Sequence, residues 1–413
     1  MAVRSGRGGQ GLKVAVIGGG IQGTCVAMEL ATRGIEVDVM ESNPALMDAA
    51  SRHNEGKIHL GFVYANDPTF RTAGLMFRGA VEFAHLMRRW LGTAFEDIPV
   101  STPFNYAVHH ESLMPPDSLE KAYKEIARRL TRRSRPGDYF GVDDPGVVTR
   151  LRGSEHDYGL MIDEVFVTQE IAVSPVPLAD LITKTVVDCD GIGVMTDTAV
   201  TAVDAGRRLI EVSTADGTAG RSLGPYDHII NCAWAGRPAL DVTAGLPMHR
   251  PWTFRMKYYL SATAPPGYPP FSSTTVVLGA FGDIVDYGNS EYYLSWYPSG
   301  RRGWSRDLVP PPWPTRPSPA VANDIARDTL TSLESIYPNL TGLTTHGPDA
   351  PVVRGGVIFS LGTTDVDDPD SEFHRRSEVG VTSSGAYHSV DTGKYTTAPL
   401  FAIDVADRVV ASK

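Results

Sequence analysis

The chain has 413 residues, 42% of them hydrophobic, a formal net charge of -10 and only three cysteines, so it holds apolar material for two cores rather than one. The acidic balance excludes a general nucleic-acid surface, because phosphate binding needs clustered Lys and Arg in surplus. Cys25, Cys189 and Cys232, far apart and in no CxxC spacing, exclude a zinc ribbon and a disulfide framework and fit a reducing compartment.

Residues 1–11 are rich in Gly and Arg without an apolar stretch and read as a disordered leader. No transmembrane segment is expected, since no run nears the roughly 18 apolar residues that one needs, and the protein is expected to be cytoplasmic. Residues 12–17 are a short apolar run bounded by glycines, the pattern of a buried parallel strand. The next segment, 21–33, is helical, with Val26, Ala27, Leu30 and Ala31 on one face and Gly34 where a helix end favours positive φ. Residues 35–40 resume β character and end on Glu41. The spacing of Phe70, Ala73, Phe77, Val81 and Ala84 predicts a helix over 68–91, and a second is expected at 118–133 with its arginines in water. Strands are expected at 104–110, 163–168, 194–203, 209–213 and 228–232, with a crossover helix at 177–188 opened by Pro177. Beyond about residue 247, aromatic-rich alternation at 254–260, 275–278 and 292–297 predicts a separate antiparallel sheet, with Pro-rich surface loops at 264–270 and 309–319. A helix at 321–336, a glycine-rich stretch at 354–393 and a closing helix at 396–410 complete the chain.

Gly18, Gly20 and Gly23 form G-x-G-x-x-G around Ile21 and Gln22. Alone the motif is weak; between a buried strand and an amphipathic helix it is strong. The first glycine allows a tight turn, the second lets the backbone approach a pyrophosphate, and the third lets helix and strand pack closely. The helix N-terminus then offers N–H groups and partial positive charge to the phosphates. Glu41, with Ser42 beside it, ends the second strand where an acid accepts from ribose hydroxyls and disfavours a 2′-phosphate. The fingerprint leaves NAD and FAD open, because both carry ADP.

The loop Ser51-Arg52-His53-Asn54-Glu55-Gly56-Lys57-Ile58-His59-Leu60-Gly61 resembles the D-amino-acid oxidase and glycine oxidase superfamily of flavoproteins, nearest in look to L-2-hydroxyglutarate dehydrogenase-like members. The resemblance implies FAD, with Arg52, Asn54, Gly56, Lys57 and Ile58 lining the diphosphate and flavin edge and His59 near the isoalloxazine, where a histidyl-flavin bond is one implied outcome. Asp391-Thr392-Gly393-Lys394-Tyr395-Thr396-Thr397 is similar to the Gly-Gly-Lys-x-Thr-Thr segment of FAD-dependent glycerol-3-phosphate dehydrogenases, departing from it at Asp391 and Thr392. Asn231-Cys232-Ala233-Trp234 resembles the strand that reaches the FAD in that superfamily, with the stretch up to Val200 beside the adenine; Gly385 and His388 fall within the same pattern. The fold implied is α/β: a discontinuous Rossmann-type FAD-binding domain (12–75, 155–245 and 346–413) and an α+β substrate domain with an antiparallel sheet (76–154 and 246–345).

For chemistry the candidates are His59, Lys394, Arg354 and Tyr258. When a flavin takes a hydride at N5, charge builds at N1 and the C2 carbonyl, and Lys394 at a helix start stabilises it. Arg354 is a planar, bidentate clamp for a carboxylate or phosphate. Strand alternation means that either Arg255 with Lys257, or Tyr258, faces a pocket. His59 and His388 are candidate bases or flavin contacts, with His53 a lesser one. Trp234 and Trp296 read as packing aromatics, and His109-His110 lacks a carboxylate or cysteine at ligand spacing, so no metal is expected. The reading is an oxidase or dehydrogenase that takes a hydride from a C–N or C–O bond of a small polar, anionic metabolite. The competing readings are an NAD(P)H-dependent flavin monooxygenase and a non-catalytic FAD-binding partner subunit.

Overall fold

The computed structural model describes residues 11–214, 219–269, 271–340, 342–345 and 351–412. The leader expected at 1–11 therefore lies, apart from Gly11, outside the described residues. Lys13–Ile17 pairs in parallel with Glu36–Met40 on one side and His228–Asn231 on the other. The sheet continues in parallel through Ile192–Met195 and Tyr387–Asp391 and closes with the antiparallel strand Gly380–Ser384. Alternation along the first strand divides two cores. Val14 and Val16 pack with Val26 and Leu30 of the helix Ile21–Thr32 and with Ala402 and Val405 of the helix Ala398–Ala411. Ala15 and Ile17 pack on the other face against Val203, Ile210 and Val212 of a three-stranded antiparallel sheet. Covered on both faces, the strand has no room for polar residues, which explains its apolar run.

The strand expected over 194–203 is two strands in different sheets. Ile192–Met195 ends in the parallel sheet and Thr198–Asp204 opens the three-stranded one. Between them Asp197 sits at φ +48, a left-handed turn that breaks the ladder.

A nine-stranded sheet forms the second layer, running through Arg301–Ser305, Trp252–Thr263, Glu291–Trp296, Gly282–Asp286, Thr274–Val277, Asn105–His109, Ile162–Val167 and Thr149–Arg152, with Val353–Leu361 also paired to Trp252–Thr263. It is mostly antiparallel, and Thr274–Val277 lies parallel to Asn105–His109. Met256, Tyr258 and Leu260 pack on one face against Ile325, Ala326 and Leu333 of the helix Pro319–Ile336. Ile162–Val167 and Val353–Leu361 belong to this sheet although the sequence assigns them to the nucleotide part, and the helix Arg71–Leu91 packs on Ala398–Ala411 although most of it was assigned to the substrate part. Chain order does not reveal such exchanges, because each segment crosses between layers with its hydrophobic pattern unchanged. Among the described residues no helix is long and apolar enough to cross a membrane.

Candidate active site

The carboxyl ends of the parallel strands converge on Gly18. Its φ of +96 suits glycine, and an added Cβ would lie 2.8 Å from the Cys232 carbonyl oxygen and 3.0 Å from Ala233 Cα. A Cβ on Gly23 would run into the Gly18 carbonyl oxygen. Gly20 caps the following helix without a side-chain hydrogen bond, so the first turn presents backbone donors rather than a filled cap. The Ile21 N–H donates to Ser51 Oγ at 2.8 Å, which ties the helix start to the 51–59 loop. Gln22 Nε2 donates to the Ala398 carbonyl at 3.0 Å, while its buried Oε1 has no partner among the described residues.

Glu41 is held by its own neighbours. Oε2 accepts from Gly19 N–H at 2.7 Å, and Oε1 accepts from the Asn43 N–H, the Asn43 amide and Ser42 Oγ. The carboxylate is thus fixed beside the glycine turn. Thr198 N–H donates to the Glu41 carbonyl at 2.9 Å, which brings the strand carrying Val200 alongside.

The 51–59 loop is shaped from within. Asn54 donates to the Ala50 and Ser51 carbonyls and accepts from Gly56 N–H. Gly56, at φ +65, packs so closely on the Val173 carbonyl that no Cβ fits. The Ile58 carbonyl accepts from Tyr139 Oη at 2.8 Å. Thr396 Oγ1 donates to the Lys57 carbonyl at 3.1 Å and accepts from His59 N–H at 2.9 Å. His59 is buried, its Nδ1 3.4 Å from Glu170 Oε1 without hydrogen-bond geometry. Burial pushes its pKa down, and Lys394 and Lys57 add to the fall against Glu170. Burial acts to raise the Glu170 carboxyl, but His59, Lys57 and Tyr106 outweigh it and hold the group below the usual range. Glu170 accepts from Leu60 N–H at 2.6 Å and Tyr106 Oη at 2.5 Å.

Lys57 and Arg52 do not line the 18–23 turn. The Lys57 ammonium reaches into the nine-stranded sheet, bonded to Thr275 and 3.0 Å from Asp283 Oδ1, over the Phe104 ring at 4.1 Å. Arg52 pairs with Asp180 at 2.6 Å, leaving a buried Nε without a partner. Asp283 also lies 3.8 Å from Lys257 Nζ, and Glu55 Oε1 lies 4.0 Å from Lys394 Nζ. Two acids and three lysines thus form one cluster of mixed charge between the layers. Burial lowers Lys394 to about 8, with Glu55 opposing and Arg376 and Lys57 assisting. Burial would raise Glu55, yet Lys394, Lys257 and Lys57 hold it below the usual range.

Around Lys394 the backbone is a tight loop. Gly393, at φ +64, donates its N–H to Asp391 Oδ1 at 3.1 Å, and the Thr392 carbonyl accepts from Lys394 N–H and Thr397 Oγ1. Asp391 pairs with Arg237 at 3.1 Å. Tyr395 turns its ring to Phe83, centroids 6.1 Å apart, and so joins the core under the helix Arg71–Leu91. Trp234, at φ +49, donates Nε1–H to the Val357 carbonyl at 2.7 Å and sets its ring edge-on to Phe359.

Strand alternation decides between the rival faces of Trp252–Thr263. Arg255, Lys257 and Tyr259 face the nucleotide layer. Arg255 pairs with Asp365 at 2.8 Å, and Tyr259 lies 3.4 Å from His53 Nδ1 and stacks on Tyr293. Tyr258 faces the other way, into the core under Pro319–Ile336, and donates to the Pro314 carbonyl at 2.7 Å. It is therefore no catalytic candidate. Arg354, opposite Tyr259 in register, shares that residue's inward face.

Gly385 and His388 do not reach the site. Gly385 turns the hairpin between Gly380–Ser384 and Tyr387–Asp391. His388, near the start of its strand, bonds His228 Nδ1 at 3.0 Å and Ser383 Oγ at 2.8 Å, away from the carboxyl ends where Gly18 sits. The reading of His109-His110 also changes: His109, His110 and Glu111 bring their ligand atoms within 4.8 Å of one another, so a carboxylate does stand at ligand spacing, although His109 Nδ1 already accepts the Glu111 N–H. The sequence reading missed Glu170, Asp283 and Arg376. No local motif marks them, since each matters through partners over a hundred residues away.

A positive-φ glycine turn feeding an uncapped helix, an acid fixed beside it and a lysine loop at the facing chain end define a dinucleotide-binding oxidoreductase. A family model described as "FAD dependent oxidoreductase" matches residues 13–406, and the chain belongs to that family. The group that such enzymes carry is FAD, which supplies the hydride acceptor, and the bare backbone at Gly18 to Gly23 suits its diphosphate. Among solved structures, the chain is similar to glycine oxidase from Geobacillus kaustophilus (TM-score 0.69, 15% identity, 97% of this chain and 95% of that one). It is also similar to L-proline dehydrogenase from P. horikoshii (0.67, 15%, 98% and 94%) and to FAD-bound L-alpha-glycerophosphate oxidase from Mycoplasma pneumoniae (0.65, 16%, 97% and 95%). A tRNA 5-methylaminomethyl-2-thiouridine biosynthesis bifunctional protein from Campylobacter jejuni is 31% identical over 147 residues, covering 31% of this chain and 23% of that protein.

Proposed function

We propose that this enzyme oxidises the C–N or C–O bond of a small anionic metabolite, an amino acid, hydroxy acid or sugar derivative, by hydride transfer to flavin N5. The observation that carries the reading is the inward face of the substrate sheet. Lys257, Tyr259 and Arg354 share it, opposite His53 and the Lys394–Glu55 pair. Arg354 holds the substrate anion; its guanidinium bonds only its neighbour's carbonyl, at 2.9 Å, among the described residues. Lys394 holds positive charge where the reduced flavin develops negative charge. His59, buried and tied by its N–H to Thr396 Oγ1, would stand at the flavin edge. The similar structures named above act on amino acids and on a glycerophosphate, which supports this substrate range.

The test is optical. Purified protein should show the bands of oxidised flavin and bleach anaerobically with a member of a panel of amino, hydroxy and sugar-phosphate compounds. Bleaching by NADPH alone would replace this reading with a monooxygenase, and resistance to the whole panel would overturn it. Acid precipitation of the same sample reports whether colour stays with the polypeptide through a histidyl bond.

A further inference from the structure

The Pro-rich segment 309–319 is largely exposed, as expected of a surface loop, and is pinned to the substrate sheet. Tyr258 Oη donates to the Pro314 carbonyl at 2.7 Å, and Gly355 N–H donates to the Thr315 carbonyl at 2.9 Å. Trp313 packs on Gly303 so closely that a Cβ there would collide with its indole. Prolines at 310, 311, 312, 314 and 317 restrict the rest. Arg316 is thereby delivered beside Arg354, whose neighbour Gly355 makes the contact. Arg354 is half-buried and Arg316 exposed; Arg52 has Asp180, Arg237 has Asp241 and Arg255 has Asp365, while the half-buried Arg376 is taken up by the Gly393 carbonyl and Ser360 Oγ. Among the described residues neither Arg316 nor Arg354 has an acid within ion-pair distance. Their mutual repulsion helps push Arg354 down after burial, and both lower His53, which burial takes to about 4. A rigid loop that places a second guanidinium without an acid next to the half-buried first one makes a pair that a ligand with two anionic groups can bridge.

We infer that Arg316 is a second anion contact beside Arg354 and selects substrates that carry two negatively charged groups. The inference rests on the anion-clamp role proposed for Arg354. It requires the second group to be a carboxylate or a phosphorus oxyanion, since both match a guanidinium fork.

The experiment titrates the flavin-loaded enzyme with succinate, butyrate and 3-phosphonopropionate and follows the perturbation of the flavin absorption. A dianion should bind about tenfold more tightly than butyrate, the size of one partly exposed charge-assisted contact. The tighter of the two dianions names the preferred second group. Arg316→Gln should abolish that preference, so that the dianions bind no more tightly than butyrate, while Arg316→Lys should keep part of it and make it more sensitive to salt. Equal binding of all three acids to the wild type, or a preference that survives Arg316→Gln, overturns the inference alone. Arg354→Gln should weaken every acid; if it weakens none, or if no acid perturbs the flavin, the clamp itself is overturned and Arg316 with it.

Discussion

The two faces that meet at this site are built from different materials. At the glycine turn the work is done by main chain: Gly18, Gly20 and Gly23 clear space, and the charged side chain beside them, Glu41, is locked by Gly19 and Asn43. On the substrate side the site is long charged side chains: Lys257 lies against Asp283 and Arg255 against Asp365, while Arg354 has no acid within ion-pair distance among the described residues. A backbone site tolerates no added atom, whereas a side-chain site can be retuned residue by residue. The first face should therefore govern whether cofactor is held, and the second which substrate is turned over.

The largest expected effect breaks the backbone face. Gly23→Ala sets a methyl against the Gly18 carbonyl, and the protein should be recovered without flavin, read from the ratio of visible to ultraviolet absorption. Lys394→Met should retain flavin but slow its anaerobic reduction by about a hundredfold in stopped flow; an unchanged rate would remove Lys394 from the chemistry. Glu170→Leu strips acceptors from Leu60 N–H and Tyr106 Oη inside the core and should cost about 3 kcal/mol in a denaturant titration. The pH dependence is gentler. Lys394 titrates near 8 and is cationic below that value, so the reduction rate should fall as pH rises through about 8, and Lys394→Arg, charged throughout, should flatten the fall. Smallest of all, Tyr258→Phe loses one bond to the Pro314 carbonyl, about 1 kcal/mol, and should leave flavin reduction alone. A reduction defect in Tyr258→Phe comparable to that of Lys394→Met would mean that the two strand faces are exchanged.

What could be read in advance follows the same division. The glycine turn, the helix after it and the acid at the second strand's end are local, and 29 residues contain them all; their spacing alone dictates strand, turn and helix. The substrate face is not local. Alternation states that Arg255 and Lys257 oppose Tyr258, yet only the helix Pro319–Ile336 covering one side decides which is inward. His388 and Gly385 sit in a stretch with the right flavour but at the wrong end of a strand, and a sequence pattern carries no sign of which strand end meets the ligand until the parallel pairing with His228–Asn231 is seen. Glu170 could not be singled out either, because an isolated acid in a strand-rich stretch reads as surface until its donors, Leu60 and Tyr106, are brought to it.

Thr396 stands far along the chain from the residues it joins. Its hydroxyl joins the Lys57 carbonyl and the His59 amide across separations of 339 and 337 residues, and Gln22 clasps Ala398 across 376. The loop at 51–59 and the glycine turn are thus clasped to the segment 396–398 by contacts between residues more than 300 positions apart. Local unfolding of either distant segment therefore opens the clasp, wherever along the chain the loosening begins.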